Sequence, residues 1–429
     1  MAAVTDLAAR RTGRTGAAAR GAKPPLEYSL LYTATLCLLA AGAVMVYSAS
    51  SAESLLQGPG DASYYLKRYV IFALVGLGVL HVVSRRGLSA VKAATPVLLV
   101  VSFALTVAVM LPGIGVTVNG ATRWLGAGPV QFQPSELLKL ALVLYAAQLL
   151  AARPSALRSI GGLFKPLLLV VAAACALLLK QPDMGTAIVI CMSITALLVA
   201  AGARLRHLAV IGSGLILVAL VVALAEPYRR ARLTAFLDPW SDAGDTGFQA
   251  VQSMIAIGSG GVFGTGLGES VQKIFYLPEA HTDMILAIIG EELGLVGVLG
   301  VAALYGVIAY AGLRTAKLAR DRYSKLLAAG ITSLILCQAT LNLFAVMGLA
   351  PLTGVPLPLL SYGNSNLIVL MAAMGLLLNV AATGGVSAKA AKPKLWAIDG
   401  GRGEQNRDSR GRNGGARGAR SRRGGRAAG

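Results

Sequence analysis

Apolar residues in this chain gather in long runs, and polar residues collect between the runs instead of alternating or striping one face. A helix apolar all round belongs in a large core or a membrane, and about 20 such residues cross a hydrocarbon layer of about 30 Å. Ten runs approach that length, at 29–48, 69–84, 94–112, 134–152, 166–179, 184–202, 207–225, 284–312, 327–350 and 364–383. The fifth is short and is parted from the sixth only by KQPD, so eight or nine spans is the competing count. The pattern predicts an all-α polytopic membrane protein with about ten transmembrane helices. No internal period or inverted pair of halves is visible, which argues against a transporter built from repeated bundles.

Composition agrees: of 429 residues, 55% are hydrophobic and 14% charged, too apolar for one soluble core. Charge then orients the spans. With the N-terminus in the cytoplasm, the tail 1–28 and the inner loops hold 18 of the 39 Lys and Arg, the C-terminal tail holds 12, and the outer loops hold eight. This asymmetry obeys the positive-inside rule and predicts both termini to be cytoplasmic. The net charge of +20 is thus a topology signal plus a tail, not a nucleic-acid footprint. The expected organisation is a basic disordered N-terminal tail over 1–28, a membrane domain over 29–383 with a large extracytoplasmic loop at 226–283, and a disordered Gly/Arg-rich tail over 384–429. That last tail either serves topology alone or binds anionic lipid or an acidic cytoplasmic partner. Cys37, Cys175, Cys191 and Cys337 fall in four different spans and read as small buried side chains, not as a disulfide or zinc framework. The first 23 residues have no apolar core, so no cleavable signal peptide is expected.

Candidate chemistry concentrates in KIFYLPEAHTDMILAIIGEELG, residues 273–294, where Glu279, His281 and Asp283 stand immediately before an apolar run. Thr282 and Asp283 are placed to cap the first backbone N–H groups of the helix that follows. Capping is the plainer role for Asp283, and an acid fixed at the mouth of a span is the chemical one. Glu291 and Glu292 lie about 12 Å deeper at about 1.5 Å per residue. They read as intramembrane ion-pair groups, one of them a partner for Lys139.

Other polar motifs flank further spans. The stretch 113–133, GIGVTVNGATRWLGAGPVQFQ, carries Asn119, Arg123 and Trp124, either as an interfacial Gly-rich turn or as a phosphate- and sugar-contacting loop. Pro134 suits the first position of the fourth span, with Glu136 in its first turn and Lys139 on the same face. In KQPDMGT, residues 180–186, Asp183 reads as the cap of the sixth span, and Lys180 either snorkels or meets phosphate. The long segment 226–283 contains a helical stretch near 247–257 and a Gly-rich run, 258–268, that lacks the context of a nucleotide loop and reads as a flexible or closely packed turn. GLAPLTGVPLPLLSYGNSN, residues 348–366, has too many prolines for a lipid-exposed helix and is expected to pack as a rigid loop against a cavity.

Together, NGATRW with QPSE, KQPDMGT, FQAVQSMIAIGSGGVFGTGLGESVQK running into LPEAHTDMILAIIGEELG, and PLTGVPLPLLSYGNSN resemble the SEDS family, the FtsW/RodA-type polymerases of the bacterial cell wall. The motifs spread over 29–383 in family order, and YLPEAHTD with GEELG looks more like the division branch. Two departures stand out: Met284 replaces the usual Phe after HTD, and Asn364 replaces the second Gly of SYGG. The resemblance implies a ten-span fold that polymerises lipid II on the outer face of the cytoplasmic membrane at the septum. It also implies Asp283 as the essential acid and a single-span class B penicillin-binding transpeptidase as partner, among other divisome membrane proteins.

The residues suit that chemistry. A diphosphate is a good leaving group, so no general acid is needed. Asp283 is the candidate general base on the acceptor hydroxyl. Arg123 is the first candidate cation for the diphosphate, with Lys180 and Lys273 behind it. Asn119, Trp124, Glu279, His281 and Ser361 are further candidates for substrate contact, while Glu136, Lys139, Asp183, Glu291 and Glu292 are structural polar groups of the membrane domain. A divalent cation, Mg or Mn, could share the charge, although no ligand cluster demands one, and no organic cofactor is expected. A glycoside hydrolase would need a second opposed carboxylate, for which only Glu279 is near. A lipid-linked oligosaccharide flippase and a non-catalytic scaffold that recruits a wall synthase are the competing functions.

Overall fold

Each predicted apolar run is helical in the computed structural model, which describes residues 24–390 apart from 59, 119, 128–129, 159, 226–229 and 231–233. In chain order the main helices are α1 (Leu26–Leu56), α2 (Tyr64–Arg85), α3 (Leu88–Ala108), α4 (Pro134–Ala152), α5 (Leu169–Lys180), α6 (Met184–Ala201), α7 (Leu205–Ala225), α8 (Phe248–Ser259), α9 (Ile285–Leu318), α10 (Arg322–Val346) and α11 (Asn364–Ala390). Among the described residues eight helices are long and apolar enough to cross a membrane: α1, α2, α3, α4, α6, α9, α10 and α11 as far as Gly384. The fifth predicted span is a shorter apolar helix, Pro166–Lys180, entered through a π-helical turn at Phe164–Leu168. Pro166 removes a backbone donor inside that turn, which accounts for the irregular winding. The seventh is α7, of 21 residues.

Helix ends follow local chemistry. Pro134 opens α4, where its missing N–H costs nothing. Asp183 caps α6 by accepting from Thr186 N at 3.3 Å, and Asp321 caps α10 by accepting from Ser324 N at 3.1 Å. Gly202 closes α6 in the left-handed conformation, φ 88°. The best-buried helices, α4, α10 and α11, form the centre, and α2 and α3 present mostly exposed apolar faces suited to lipid.

Three features depart from the sequence reading. First, the stretch read as a Gly-rich turn is a three-stranded antiparallel sheet, β1 (Gly115–Val118), β2 (Ala121–Ala127) and β3 (Val130–Phe132), in the order β1-β2-β3. Its register pairs Val116 with Trp124 and Thr117 with Thr122, whose hydroxyls meet at 2.7 Å. β-Branched residues on a short ribbon explain the pairing, but strands this short do not show in an apolar-run pattern. Second, Cys175 on α5 and Cys191 on α6 are brought together, Sγ to Sγ 3.7 Å, although they sit in separate spans of the sequence.

Third, α9 is not continuous. Gly294 has φ 67° and ψ −161°, so the helix breaks just below Glu291 and Glu292. The Gly-rich run fills the break: Thr265 N donates to Glu291 O at 2.9 Å and Gly266 N to Glu292 O at 3.0 Å. On the far side of the break Leu295 N reaches Gly261 O at 3.0 Å and Val296 N reaches Val262 O at 3.2 Å. Irregular backbone at this depth survives only when each freed group finds a partner within the protein. Glycine is required for the approach, since a Cβ on Gly264 would lie 2.1 Å from Glu292 O and one on Gly260 1.9 Å from Gly290 O. The run is therefore the closely packed turn of the two options.

Candidate active site

Asp283 precedes α9 but does not cap it. The N-cap is Met284, with no side-chain cap hydrogen bond, and the turn before it closes on Glu279: Thr282 N and Met284 N donate to Glu279 O at 3.1 and 3.3 Å. Glu279 carries φ 58°, a left-handed value uncommon outside glycine, which folds HTD back over the helix end. The capping expectation for Thr282 and Asp283 is thereby corrected. Thr282 Oγ1 instead donates to Glu279 Oε2 at 2.9 Å and approaches Asp283 Oδ1 at 3.2 Å. The depth of Glu291 and Glu292 counted along one helix from Asp283 also lapses, because Asp283 lies outside that helix.

The Asp283 side chain, 9% exposed, borders a small cleft with Met284, Asn342, Thr353, Gly354 and Val355. One wall of this cleft is the proline-rich loop. Gly354 sits there with φ 68°, where a Cβ would come within 3.8 Å of Asp283 Oδ2. A larger cavity of about 320 Å³ adjoins it, sharing Ala345 and Leu352 and reaching Asp245, Gln249 and Pro278.

The proline-rich loop is irregular, yet buried side chains satisfy its backbone one group after another. Asn342 Nδ2 donates to Val355 O (2.9 Å), Gln338 Nε2 to Pro356 O (2.9 Å), Tyr305 OH to Pro358 O (2.6 Å) and Tyr69 OH to Leu359 O (2.7 Å). Ser361 Oγ accepts from Leu357 N at 2.9 Å. Three different helices, α2, α9 and α10, thus hold a segment that proline prevents from holding itself. The expectation of a rigid loop packed against a cavity is met.

The remaining motifs assemble around this loop. Asp183 Oδ2 accepts from Ser135 Oγ at 3.2 Å and Gln133 Nε2 at 3.3 Å, which joins QPD to QPSE. Gln133 N donates to Ser365 Oγ at 2.9 Å, and Asn366 Nδ2 donates to Glu136 Oε2 at 2.7 Å, which joins QPSE to the end of SYGNSN. Gly185 packs on Thr353 and Val355 so closely that a Cβ would lie 2.6 Å from Thr353 O. Arg123 donates through Nε to Gln181 O at 3.0 Å and through Nη2 to Pro182 O, so the sheet is clamped to the same turn.

These distant segments meet in the order and spacing of one protein family, whose profile, described as cell cycle protein (FtsW/RodA/SpoVE), matches residues 28–384. The chain belongs to the FtsW/RodA/SpoVE family. It is 44% identical over 354 residues to the probable peptidoglycan glycosyltransferase FtsW of Thioalkalivibrio sulfidiphilus, covering 82% of this chain and 88% of that one. It is 39% identical over 355 residues to the stage V sporulation protein E of Bacillus subtilis, covering 82% and 96%. Among solved structures it matches a chain from work on polymerization and crosslinking by a peptidoglycan synthase complex, with TM-score 0.68, 30% identity and 82% and 97% of the two chains covered. The rod shape determining protein RodA of Thermus thermophilus matches with TM-score 0.60 and 28% identity over 82% and 95%.

Measured against this FtsW/RodA/SpoVE site, the predicted residues divide. Asp283, His281, Glu279 and Ser361 share the loop end of the bundle, and Ser361 serves its own turn there. Lys273 is not a free cation. Its Nζ lies 2.8 Å from Glu292 Oε1 and donates to Gly268 O at 2.7 Å, and Ser48 Oγ donates to both Glu292 oxygens at 2.6 and 2.7 Å. Glu291 holds the neighbouring turn through Ser270 Oγ and Val271 N, the latter at 2.9 Å. Neither glutamate pairs with Lys139, which lies 3.0 Å from Glu136 and donates to Gln338 Oε1 at 2.8 Å. Both glutamates are taken by the segment that follows the Gly-rich run, residues 268–273. Lys180 ends α5 exposed, Trp124 is half-buried on β2, and Asn119 lies outside the described residues. Among the described residues no three His, Cys, Asp or Glu side chains gather as a metal-ligand set.

Sequence reading missed the surroundings of His281. The ring is 6% exposed, 4.3 Å from the Tyr65 ring and 5.6 Å from Tyr362, with Nδ1 3.6 Å from Glu53 Oε2. Burial pushes its pKa down to about 4 against the opposing pull of Glu279, so the imidazole is neutral at pH 7. Glu53 reaches this point because α1 runs to Leu56, past the end of its apolar run at 48. Asn342 and Gln338 were hidden inside an apolar span, where one carboxamide per turn of sequence was the only signal.

Proposed function

We propose that the chain is a glycosyltransferase that polymerises lipid II into glycan strands on the outer face of the cytoplasmic membrane, with both termini on the inner side. The observation that carries this reading is the convergence of HTD, QPSE and QPDMG around the proline-rich loop that walls the cleft beside Asp283. The family relatives named as peptidoglycan glycosyltransferases support it. The acceptor sugar hydroxyl attacks the anomeric carbon of the donor, the bond from that carbon to the diphosphate oxygen breaks, and the hydroxyl proton passes to the Asp283 carboxylate. The polyprenyl diphosphate leaves with its electron pair, so no general acid is called for. Arg123, held against Gln181 and Pro182, and the exposed Lys180 are the cations offered to the diphosphate. A divalent cation, Mg or Mn, enters only as an ion carried with the diphosphate, and no protein ligand set is assigned to it. A septal role and a single-span class B penicillin-binding transpeptidase as partner complete the proposal. The synthase complex among the structural matches and the FtsW names of the relatives support these two parts.

The test is Asp283→Asn in purified full-length protein, supplied with lipid II and, in a second arm, with the transpeptidase partner. Because Asp283 is not a helix cap, the amide has no capping function to preserve, and the expected result is a loss of about 10² to 10⁴ in polymerisation rate with insertion intact. A loss below about tenfold would remove Asp283 as the base. Movement of lipid across liposomes without polymer would favour the flippase.

A further inference from the structure

Asn342 lies on α10, 2% exposed, within a largely apolar spanning helix. Its Nδ2 donates to two main-chain carbonyls on different segments, Asp283 O at 2.7 Å and Val355 O at 2.9 Å. Two acceptors fix the direction of the carboxamide, because turning it over would point an oxygen at both carbonyls. The cost is visible on the other side: Asn342 Oδ1 is buried with no hydrogen-bond partner. An amide kept in place despite an orphaned acceptor is kept for its two donors.

The two donors join the two sides of the cleft. One holds the residue that carries the carboxylate, and the other holds the neighbour of Gly354, the glycine beside Asp283 Oδ2. Asp283 belongs to no helix, and the turn 279–284 meets the proline-rich loop through His281 O, which accepts from Tyr362 N at 3.0 Å; Asn342 adds a bridge at Asp283 itself, to the stretch of that loop that walls the cleft. Gln338, one helical turn earlier on α10, holds the next carbonyl, Pro356 O, and so fixes the angle from which Asn342 reaches Val355.

We propose that Asn342 is a positioning residue for polymerisation, setting the distance between the Asp283 carboxylate and the proline-rich wall of its cleft. The inference rests on the reading of Asp283 as general base. A shift of about 1 Å in a reacting group costs up to about 10² in rate, so loss of the tie lowers the maximal rate more than it weakens substrate binding.

The experiment compares Asn342→Leu, which keeps the volume and removes both donors, with Asn342→Asp, which points acceptors at the two carbonyls. Asn342→Gln keeps the donors one methylene further out. Full-length protein with its partner is assayed for maximal polymerisation rate, half-saturating lipid II concentration and the dependence of rate on pH. Leu and Asp are expected to lower the maximal rate at least tenfold, with half-saturation within about twofold of the parent and an altered acid limb of the pH profile. Gln is expected to recover part of the rate. If Asn342→Leu inserts poorly, the comparison of Gln with Asp carries the test, and equal rates in those two overturn the proposal. Asn342→Leu within twofold of the parent while Asp283→Asn is inactive also overturns it and leaves the general-base reading standing. An active Asp283→Asn removes the reading on which the proposal rests.

Discussion

Lys273→Met separates a buried structural pair from a substrate-facing cation. The ammonium is 2.8 Å from a carboxylate that is completely buried, and it is itself 7% exposed. At that distance the attraction is about 6 kcal/mol at an effective dielectric of about 20, before the cost of removing both charges from water. Removing one partner leaves Glu292 with the Ser48 hydroxyl as its remaining side-chain donor, and a buried pair broken in this way costs about 3–5 kcal/mol. Lys273 also ties Gly268 O, so the Gly-rich turn loses an anchor at the same moment. Lys273→Met with Glu292→Gln removes both charges and leaves Ser48 an acceptor, so it should regain most of that stability. The assay is thermal unfolding in detergent, with half-saturating lipid II concentration measured on the same samples. A single variant as stable as the parent, with half-saturation raised, would refute the buried-pair argument and restore Lys273 to the substrate.

Gly264→Ala should cost about 2–5 kcal/mol, because its φ of 81° strains any Cβ and that Cβ would collide with Glu292 O, whereas Gly258→Ala, with open space around it, should be neutral in the same melting experiment. His281 supplies a pH dependence: its folded pKa of about 4 lies below the ordinary 6.5, so the unfolded chain takes the proton first. Its contribution is complete above about pH 6.5 and is lost as pH falls toward 4, by at most about 3 kcal/mol. His281→Gln should flatten the stability difference between pH 7 and 4.5, and an unchanged slope would exclude this source. Arg123→Lys should behave like Arg123→Ala in loosening the 181–182 turn, since one ammonium cannot reproduce donation from both Nε and Nη2. Limited proteolysis of the outer loops reads this, and a Lys variant as resistant as the parent would count against it.

The order of apolar runs determined the spans, because a segment that must satisfy its own backbone in lipid has one regular solution, the helix, and its length is set by the membrane. Local chemistry likewise determined Pro134 as a helix opener, Asp183 as a cap and the proline-rich loop as a non-helical wall, since each depends only on neighbours within a few residues. What required the tertiary structure was every partnership across the chain. Lys273 could be a phosphate ligand or a buried counterion until the packing of the loop before α9 placed it against Glu292. Lys139 had three acids within plausible reach, and only packing chose Glu136. Glu53 and Asn342 lay in stretches with no motif at all, and they enter the site because α1 overruns its apolar run and because one face of α10 meets two irregular loops. Sequence distance is silent on such contacts, while a buried charge or amide is fixed by whichever partner the fold brings within hydrogen-bonding range.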